Sequence, residues 1–217
     1  MVALLAVIGL VVGVLLVWAS DFLPTFSQNH KPENKQVSAN SRWLSPLNVG
    51  VELLSIVSFA FLYGRYSLSL TMIFYDIVFS FLLLIAVIDV KYRLVLNILV
   101  YPAIVIVFMA QLVMAQHSML STLLGGGLAF GIFFLTARLK PGDLGSGDIK
   151  LAALIGLVFG FPGVLWALIV GAGTGALVAV VIVLMRHSTT KLYFPYAPFL
   201  CLGAMVALLY SPFFITG

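Results

Sequence analysis

The 217-residue chain contains little charge and a single cysteine. Only 8% of its residues are charged, while 63% are hydrophobic. A water-soluble domain of this size needs more charge to cover its surface, so the composition indicates a polytopic membrane protein. Cys201 lies in an apolar run, which excludes a disulfide framework and a thiolate metal cluster. The three histidines are scattered over loops and no Gly-x-Ser-x-Gly motif occurs, which disfavours metalloprotease and serine hydrolase chemistry.

Apolar runs long enough to cross a bilayer recur along the chain. A span needs about 20 apolar residues, and the sequence has room for about eight spans. We predict an all-α membrane protein with a single domain over 1–217 and loops at 21–45 and 138–148. The first run lacks the basic segment of a cleaved signal peptide, so we expect it to be retained as a span. The predicted spans are 1–18, 46–62, 68–88, 94–115, 120–137, 149–160, 164–185 and 193–210.

The basic residues lie almost entirely in alternate loops. Ten of the eleven Lys and Arg residues follow odd-numbered spans, and only Arg65 follows an even-numbered span. This asymmetry is a strong positive-inside pattern. We therefore predict that both termini lie outside the cell and that the loops 21–45 and 138–148 lie in the cytoplasm.

Two glycine patterns predict close helix packing. Gly127 and Gly131 have the four-residue spacing of a small-residue helix interface. Gly171, Gly173 and Gly175 superficially resemble a dinucleotide-binding fingerprint, but they lie inside an apolar helix with no strand before it. We predict that both groups lie on helix-packing faces.

Four of the seven acidic residues fall within or at the ends of predicted spans: Glu52, Asp76, Asp89 and Asp148. A carboxylate at the bilayer centre costs about 2.5–3.5 kcal/mol, so such residues usually face a protein interior or a water-filled cavity. Asp89 ends the third span and Asp148 begins the sixth, with one return trip between them. Both must therefore lie at the same membrane face. Glu52 lies near that face, and Asp76 lies nearer the opposite one.

Two neighbouring carboxyl groups provide an acid and a base for peptide hydrolysis. The ionised group takes a proton from water, while the protonated group polarises the peptide carbonyl. Proximity prevents both from ionising at once. Because helix dipoles favour a negative charge at the start of a helix and disfavour it at the end, we predict Asp148 as the base and Asp89 as the acid. Gly145 and Gly147 would let the backbone leave helical geometry beside an extended substrate.

Other interpretations of these acids stay open. For Asp148 considered alone, a helix N-cap is the simpler explanation. The four acids together could also form a proton or cation pathway, as in a transporter. A third possibility is a non-catalytic membrane assembly partner, in which no single acid is essential.

The residues around the two aspartates resemble the type IV prepilin peptidases, a family of GxGD intramembrane aspartic proteases. The segment Gly145-Ser146-Gly147-Asp148-Ile149-Lys150 is similar to the family's glycine motif with its second catalytic aspartate. Asp89, followed by Arg93-Leu94-Val95-Leu96-Asn97, is similar to the segment of the first aspartate, with Leu96 where the family usually has Pro. Glu52 resembles the family's glutamate in span two, and Pro195-Tyr196-Ala197-Pro198-Phe199 resembles an element of its last span.

The resemblance implies an endopeptidase of the inner (plasma) membrane that removes short basic leaders from prepilins or pseudopilins at the cytoplasmic face. Its partners would be this substrate and the bilayer, with no cofactor, metal or nucleic acid. The loop 21–45 lacks the cysteine pairs of bifunctional members, which argues against a tetrathiolate zinc site and the methyltransferase activity that accompanies it. We expect Asp76 to be a hydrogen-bonded interior acid. The implied site consists of catalytic Asp89 and Asp148, motif-supporting Gly145, Gly147 and Lys150, and Glu52 and Asn97 as substrate-binding or tuning residues.

Overall fold

The computed structural model describes residues 2–26, 45–114, 117–139, 144–186 and 196–210. Within these ranges the chain forms α-helices, with a short 3-10 helix at Leu23–Phe26 and no strand. The predicted all-α class is confirmed. The helices are α1 (Val2–Phe22), α2 (Pro46–Tyr66), α3 (Leu70–Tyr92), α4 (Asn97–Met114), α5 (Met119–Leu139), α6 (Ser146–Arg186) and α7 (Ala197–Tyr210).

Six of these helices, α1 to α6, are long and apolar enough to cross a membrane, as judged by length and composition. The seventh, α7, is apolar but has only 14 residues. The described chain is therefore a multi-pass arrangement of apolar helices, as predicted. The expected count of eight is not reproduced as eight separate helices, because predicted spans six and seven both fall within α6.

The long helix α6 is interrupted at Gly160 and Phe161. Gly160 has φ +60° and ψ 179°, and Phe161 has φ −90° and ψ 135°. A positive φ is accessible to glycine without steric penalty, and the following Pro162 cannot donate a helical hydrogen bond. The interruption lies at the gap that the sequence predicts between the spans 149–160 and 164–185.

Side chains from neighbouring helices satisfy the backbone at this interruption. The Gln111 amide of α4 donates to the carbonyl oxygens of Leu157 at 3.4 Å and Val158 at 3.0 Å. The Ser121 hydroxyl of α5 donates to the Phe161 carbonyl at 2.6 Å. The last carbonyl groups of a helix have no N–H donor within the helix, and these side chains provide the missing hydrogen bonds.

The chain reverses direction at this interruption. Cys201 of α7 lies within electrostatic range of Asp148, near the start of α6. Its neighbour Leu200 lies against Gly171, in the second half of α6. On a straight helix, positions 148 and 171 would be about 35 Å apart. One short helix can reach both only if the second half of α6 folds back along the first.

The chain divides into two compact units, Met1–Ile88 and Asp89–Gly217. In the first unit α1 packs closely along α2. A Cβ on Gly9 would come within 2.9 Å of the Ser55 carbonyl oxygen, and one on Gly13 within 2.9 Å of the Glu52 Cα. Glycine at both positions therefore allows the two backbones to approach. The single domain expected over 1–217 stays a prediction.

In the second unit, small residues lie where α6 meets its neighbours. Gly171 and Gly175 lie against Phe199 of α7, as their sequence context predicts, whereas Gly173 faces open space. The prediction for Gly127 and Gly131 is wrong, since a Cβ on either would have no described atom within 4 Å. Their neighbours on α5 make the close approach instead, with Gly125 and Gly126 lying against Ala153, Gly156, Leu157 and Gly160.

The predicted loops are shorter than expected at the ends that the structure describes. Helical structure continues through Phe26, inside the loop expected at 21–45, and α5 ends at Leu139 while α6 begins at Ser146. Much of the loop charge lies outside the described residues, so the expected sidedness stays a prediction. The basic residues concerned are Lys31, Lys35, Arg42, Lys140 and Lys191.

Candidate active site

Asp89 lies in the last turn of α3, where its side chain is only 5% exposed. Its backbone carbonyl accepts the Arg93 N–H at 2.7 Å, and Arg93 closes the helix with a positive φ of 54°. This is the left-handed conformation that commonly ends a helix. The Asp89 Oδ2 atom is buried and has no hydrogen-bond partner among the described residues. Because a buried polar atom without a partner is unfavourable, this oxygen is available for a ligand or a water molecule.

Asp148 is the third residue of α6, and its side chain caps that helix. The Gly145 N–H donates to Asp148 Oδ2 at 3.2 Å, and the Asp148 N–H donates to the Gly145 carbonyl at 3.1 Å. The bond from the N-cap N–H to the carboxylate is the acidic half of a capping box, whereas the other bond joins two backbone groups because Gly145 has no side chain. The interpretation of Asp148 as the N-cap itself is wrong, since Gly145 is the N-cap and Asp148 lies at the third helical position. The cap also fixes the orientation of the carboxyl group.

The structure brings the two aspartates together. The carboxyl groups of Asp89 and Asp148 are close enough to interact electrostatically, and Arg93 also acts on the charge of Asp89. Asp89 lies in the final turn of its helix and Asp148 in the first turn of its own. The charge of one carboxyl group disfavours ionisation of the other, so the pair favours the singly protonated state that acid–base hydrolysis of a peptide uses.

Gly147 lies where the first turn of α6 meets the segment that joins α3 to α4. A Cβ on Gly147 would lie 2.5 Å from the Val95 Cβ and 3.3 Å from the Val95 carbonyl oxygen. The missing side chain thus lets α6 approach the segment that directly follows Asp89. The expectation that Gly147 leaves helical geometry is wrong, since it lies within α6 and outside the non-helical residues. Gly145 precedes the helix and serves as its N-cap.

Lys150 extends from α6 toward α4. Its Nζ atom donates to Asn97 Oδ1 at 2.8 Å and lies 4.7 Å from the centroid of the Tyr101 ring. Asn97 was predicted as a substrate-binding or tuning residue, and its side-chain oxygen is occupied by this bond. The structure therefore places Asn97 and Lys150 beside Asp89 and Asp148 as parts of one helix junction.

The other two acids belong to the first unit. Glu52 is half-buried on α2, with its backbone against Gly13. Asp76 is 5% exposed on α3, and its Oδ1 atom has no hydrogen-bond partner within the described ranges. Asp76 is thus an interior acid as predicted, but the predicted hydrogen bond is missing at this oxygen.

Two residues near the aspartates were not identified from the sequence. Cys201, fully buried on α7, lies within electrostatic range of both Asp89 and Asp148. Tyr101 follows Asn97 by four residues, and this i,i+4 spacing could have indicated a shared face on α4. In the described parts of the chain, no three His, Cys, Asp or Glu side chains group closely enough to hold a metal ion.

The helix that carries Cys201 begins within the element that resembles the family's last span. Pro198 is the second residue of α7, a position that tolerates the missing N–H of proline. Phe199 lies against Gly171 and Gly175 of α6. Pro195, the first residue of that element, lies outside the described residues.

Comparisons with known proteins found similarity to one family of peptidases. The model of the type IV leader peptidase family matches residues 77–180, which include both aspartates. A prepilin leader peptidase/N-methyltransferase from Bacillus subtilis (strain 168) is 29% identical over 160 residues, which cover 74% of this chain and 64% of that relative. The match thus spans less than two thirds of the relative's length. No solved structure matches the chain significantly. The chain is thus similar to the type IV leader peptidase family over residues 77–180 and to this prepilin leader peptidase over 160 residues.

Proposed function

We propose that the protein is an aspartic endopeptidase that removes the short basic leader from prepilin-like proteins at the cytoplasmic face of the plasma membrane. The observation that carries the proposal is the electrostatic coupling of Asp89 and Asp148 at adjoining helix ends. Similarity to a leader peptidase family over residues 77–180 supports the substrate class. The substrate is a protein with a basic leader, a small residue at the cleavage site and an apolar helix after it.

The positions of the two carboxyl groups suggest a division of roles. Asp148 is held by the Gly145 N–H at the start of α6, where the positive end of the helix dipole favours its ionised form. It therefore takes a proton from the attacking water. Asp89 lies at the opposite kind of helix end and retains the shared proton, which it donates to the peptide carbonyl oxygen.

The same two groups then complete the reaction. Attack by the water oxygen forms a C–O bond and leaves a tetrahedral carbon. The proton taken up by Asp148 passes to the amide nitrogen, and the C–N bond breaks as the amine leaves. When the carbonyl reforms, its oxygen returns a proton to Asp89, which restores one shared proton between the pair.

Leader removal from a co-expressed prepilin tests this proposal. We expect complete processing with the unaltered protein and none with Asp89→Asn or Asp148→Asn, since each change removes one titrating group while nearly preserving side-chain volume. Asp76→Asn is the matched control, because it alters a buried acid of the first unit. Complete processing in either Asp89→Asn or Asp148→Asn would exclude the catalytic pair.

One observation favours a second candidate function, a proton- or cation-coupled transporter. Asp76 is buried in an apolar helix and has a carboxyl oxygen without a hydrogen-bond partner in the described part of the chain. Intramembrane acids of this kind occur in ion and proton pathways. The transporter requires Asp76, whereas the peptidase does not. Loss of function confined to Asp76→Asn would therefore support the transporter.

A further inference from the structure

Tyr101 lies at the junction of α4 and α6 and shares the Lys150 ammonium group with Asn97. The ammonium lies 4.7 Å from the centroid of the Tyr101 ring and donates to Asn97 Oδ1 at 2.8 Å. A cation within about 6 Å of an aromatic ring face is attracted by the ring quadrupole. Residues four apart on a helix lie on one face, so Asn97 and Tyr101 bind the ammonium together.

Lys150 makes these contacts although a carboxyl group lies two residues away in its own helix. Asp148 accepts the Gly145 N–H instead, and no ion pair links Lys150 to Asp148 within the described residues. The lysine side chain therefore joins α6 to α4. The position of the lysine ammonium group therefore depends on the side chains of Asn97 and Tyr101 on α4.

This junction connects the segments that carry the two aspartates. Val95, between Asp89 and the start of α4, lies against Gly147. Lys150 adds a second contact, somewhat less than one turn further along α6. One contact leaves a helix free to rotate about it, whereas two contacts also fix the direction of the helix. The direction of the first turn of α6 sets where the Asp148 carboxyl lies relative to Asp89.

We propose that Tyr101 is a positioning residue that, with Asn97, holds Lys150 and thereby fixes the separation of Asp89 and Asp148. The Tyr101 ring face is the part that acts, and its hydroxyl group is not needed. The consequence for catalysis rests on the proposed function, but the effect on the separation of positions 89 and 148 does not.

Disulfide cross-linking measures that separation without any need for activity. The cross-linking variant contains the substitutions Cys201→Ser, Asp89→Cys and Asp148→Cys. Copper phenanthroline then oxidises its two cysteine thiols to a disulfide in native membranes. We expect Tyr101→Leu to slow disulfide formation about threefold, the shift that an exposed cation–π contact supplies. Tyr101→Phe keeps the ring face and retains the rate. Tyr210→Leu, which changes an exposed tyrosine at the far end of α7, also retains it.

A double change tests whether Tyr101 acts through Lys150. Lys150→Met slows cross-linking by itself, and adding Tyr101→Leu then causes no further decrease. An unchanged cross-linking rate in Tyr101→Leu would overturn the proposal. So would a Tyr101→Leu decrease of the same size in the Lys150→Met background as in the background that keeps Lys150. Should Tyr101→Leu fail to accumulate in membranes, Asn97→Leu removes the other contact of the ammonium and is expected to give the same slowing.

Leader cleavage by the chain with both aspartates intact separates positioning from substrate contact. For Tyr101→Leu we expect kcat to fall about threefold with KM unchanged, and Tyr101→Phe to restore kcat. A raised KM with unchanged kcat would mean that Tyr101 binds substrate, which contradicts the proposal. If the unaltered chain cleaves no prepilin, the proposed function fails, and cross-linking still decides the role of Tyr101.

Discussion

Gly147→Ala is the smallest change that should separate the two aspartates. The added Cβ would lie 2.5 Å from the Val95 Cβ and 3.3 Å from the Val95 carbonyl oxygen. The Val95 Cβ is attached to the backbone and cannot move aside by a rotamer change. Ordinary carbon–carbon contacts are about 3.5–4.0 Å, so the start of α6 must retreat from the segment after Asp89 by about 1 Å.

This displacement affects catalysis more than stability. Overpacking of this kind costs about 1–3 kcal/mol, but alanine is better than glycine within a helix by about 0.5–1 kcal/mol. The expected net loss of stability is about 1 kcal/mol. A misplacement of about 1 Å in a catalytic group can lower the rate about 100-fold. We therefore expect a large loss of leader cleavage from a protein that is still folded.

The assay compares kcat/KM for leader cleavage with the thermal unfolding midpoint in detergent. Gly127→Ala is the matched control, since a Cβ there meets no described atom within 4 Å, and it should leave cleavage unchanged. Val95→Gly removes the opposing Cβ and should restore part of the activity in the double variant. Wild-type cleavage by Gly147→Ala, or an equal loss with Gly127→Ala, would refute the reasoning.

Three further predictions concern the reversal in α6, the turn before α5 and the reaction product. Gly160→Ala places a Cβ 2.7 Å from the Ser121 hydroxyl oxygen. At φ +60° the alanine backbone alone costs about 1–2 kcal/mol. The thermal unfolding midpoint of this variant should therefore fall below that of the control variant Gly163→Ala. Burial lowers the pKa of His117 below its ordinary value of 6.5, so the unfolded chain binds the extra proton first and stability decreases as the pH falls below that value. His117→Gln should weaken the decrease in unfolding midpoint between pH 8 and pH 5, and an identical decrease in both proteins would contradict this. Mass spectrometry of the cleaved pilin should find an unmethylated N-terminus, because residues 21–45 contain no cysteine; a methylated product would show that the transfer needs no such cysteines.

The pairing of the aspartates could be predicted because it depends only on chain direction. Each span carries the chain to the other side of the membrane. Asp89 ends the third predicted span and Asp148 begins the sixth, so the two must lie at the same membrane face. In the structure the two carboxyl groups lie close enough for the charge of Asp148 to act on Asp89. The reversal near Phe161 was predictable from local chemistry, since Pro162 cannot donate a helical hydrogen bond and glycines flank it at positions 160 and 163.

Packing faces could not be predicted in the same way. Gly127 and Gly131 have suitable spacing, but α5 is apolar on all sides, so no polar face indicates which side meets its neighbour. Gly125 and Gly126 make that contact instead. Tyr101 was missed because its partner, Lys150, lies on another helix and an aromatic residue near a helix end is equally suited to the lipid interface.

The reversal in α6 also bears on how the protein is assembled during synthesis. From Ser146 to the reversal the helix rises about 21 Å, less than the roughly 30 Å of a hydrocarbon core. The last carbonyl groups of this half lack helical hydrogen-bond partners. Gln111 and Ser121 provide them, and both are synthesised before α6. We therefore expect the α6 hairpin to complete its hydrogen bonds only once α4 and α5 are in place, which would give the second unit an order of assembly from its N-terminus to its C-terminus.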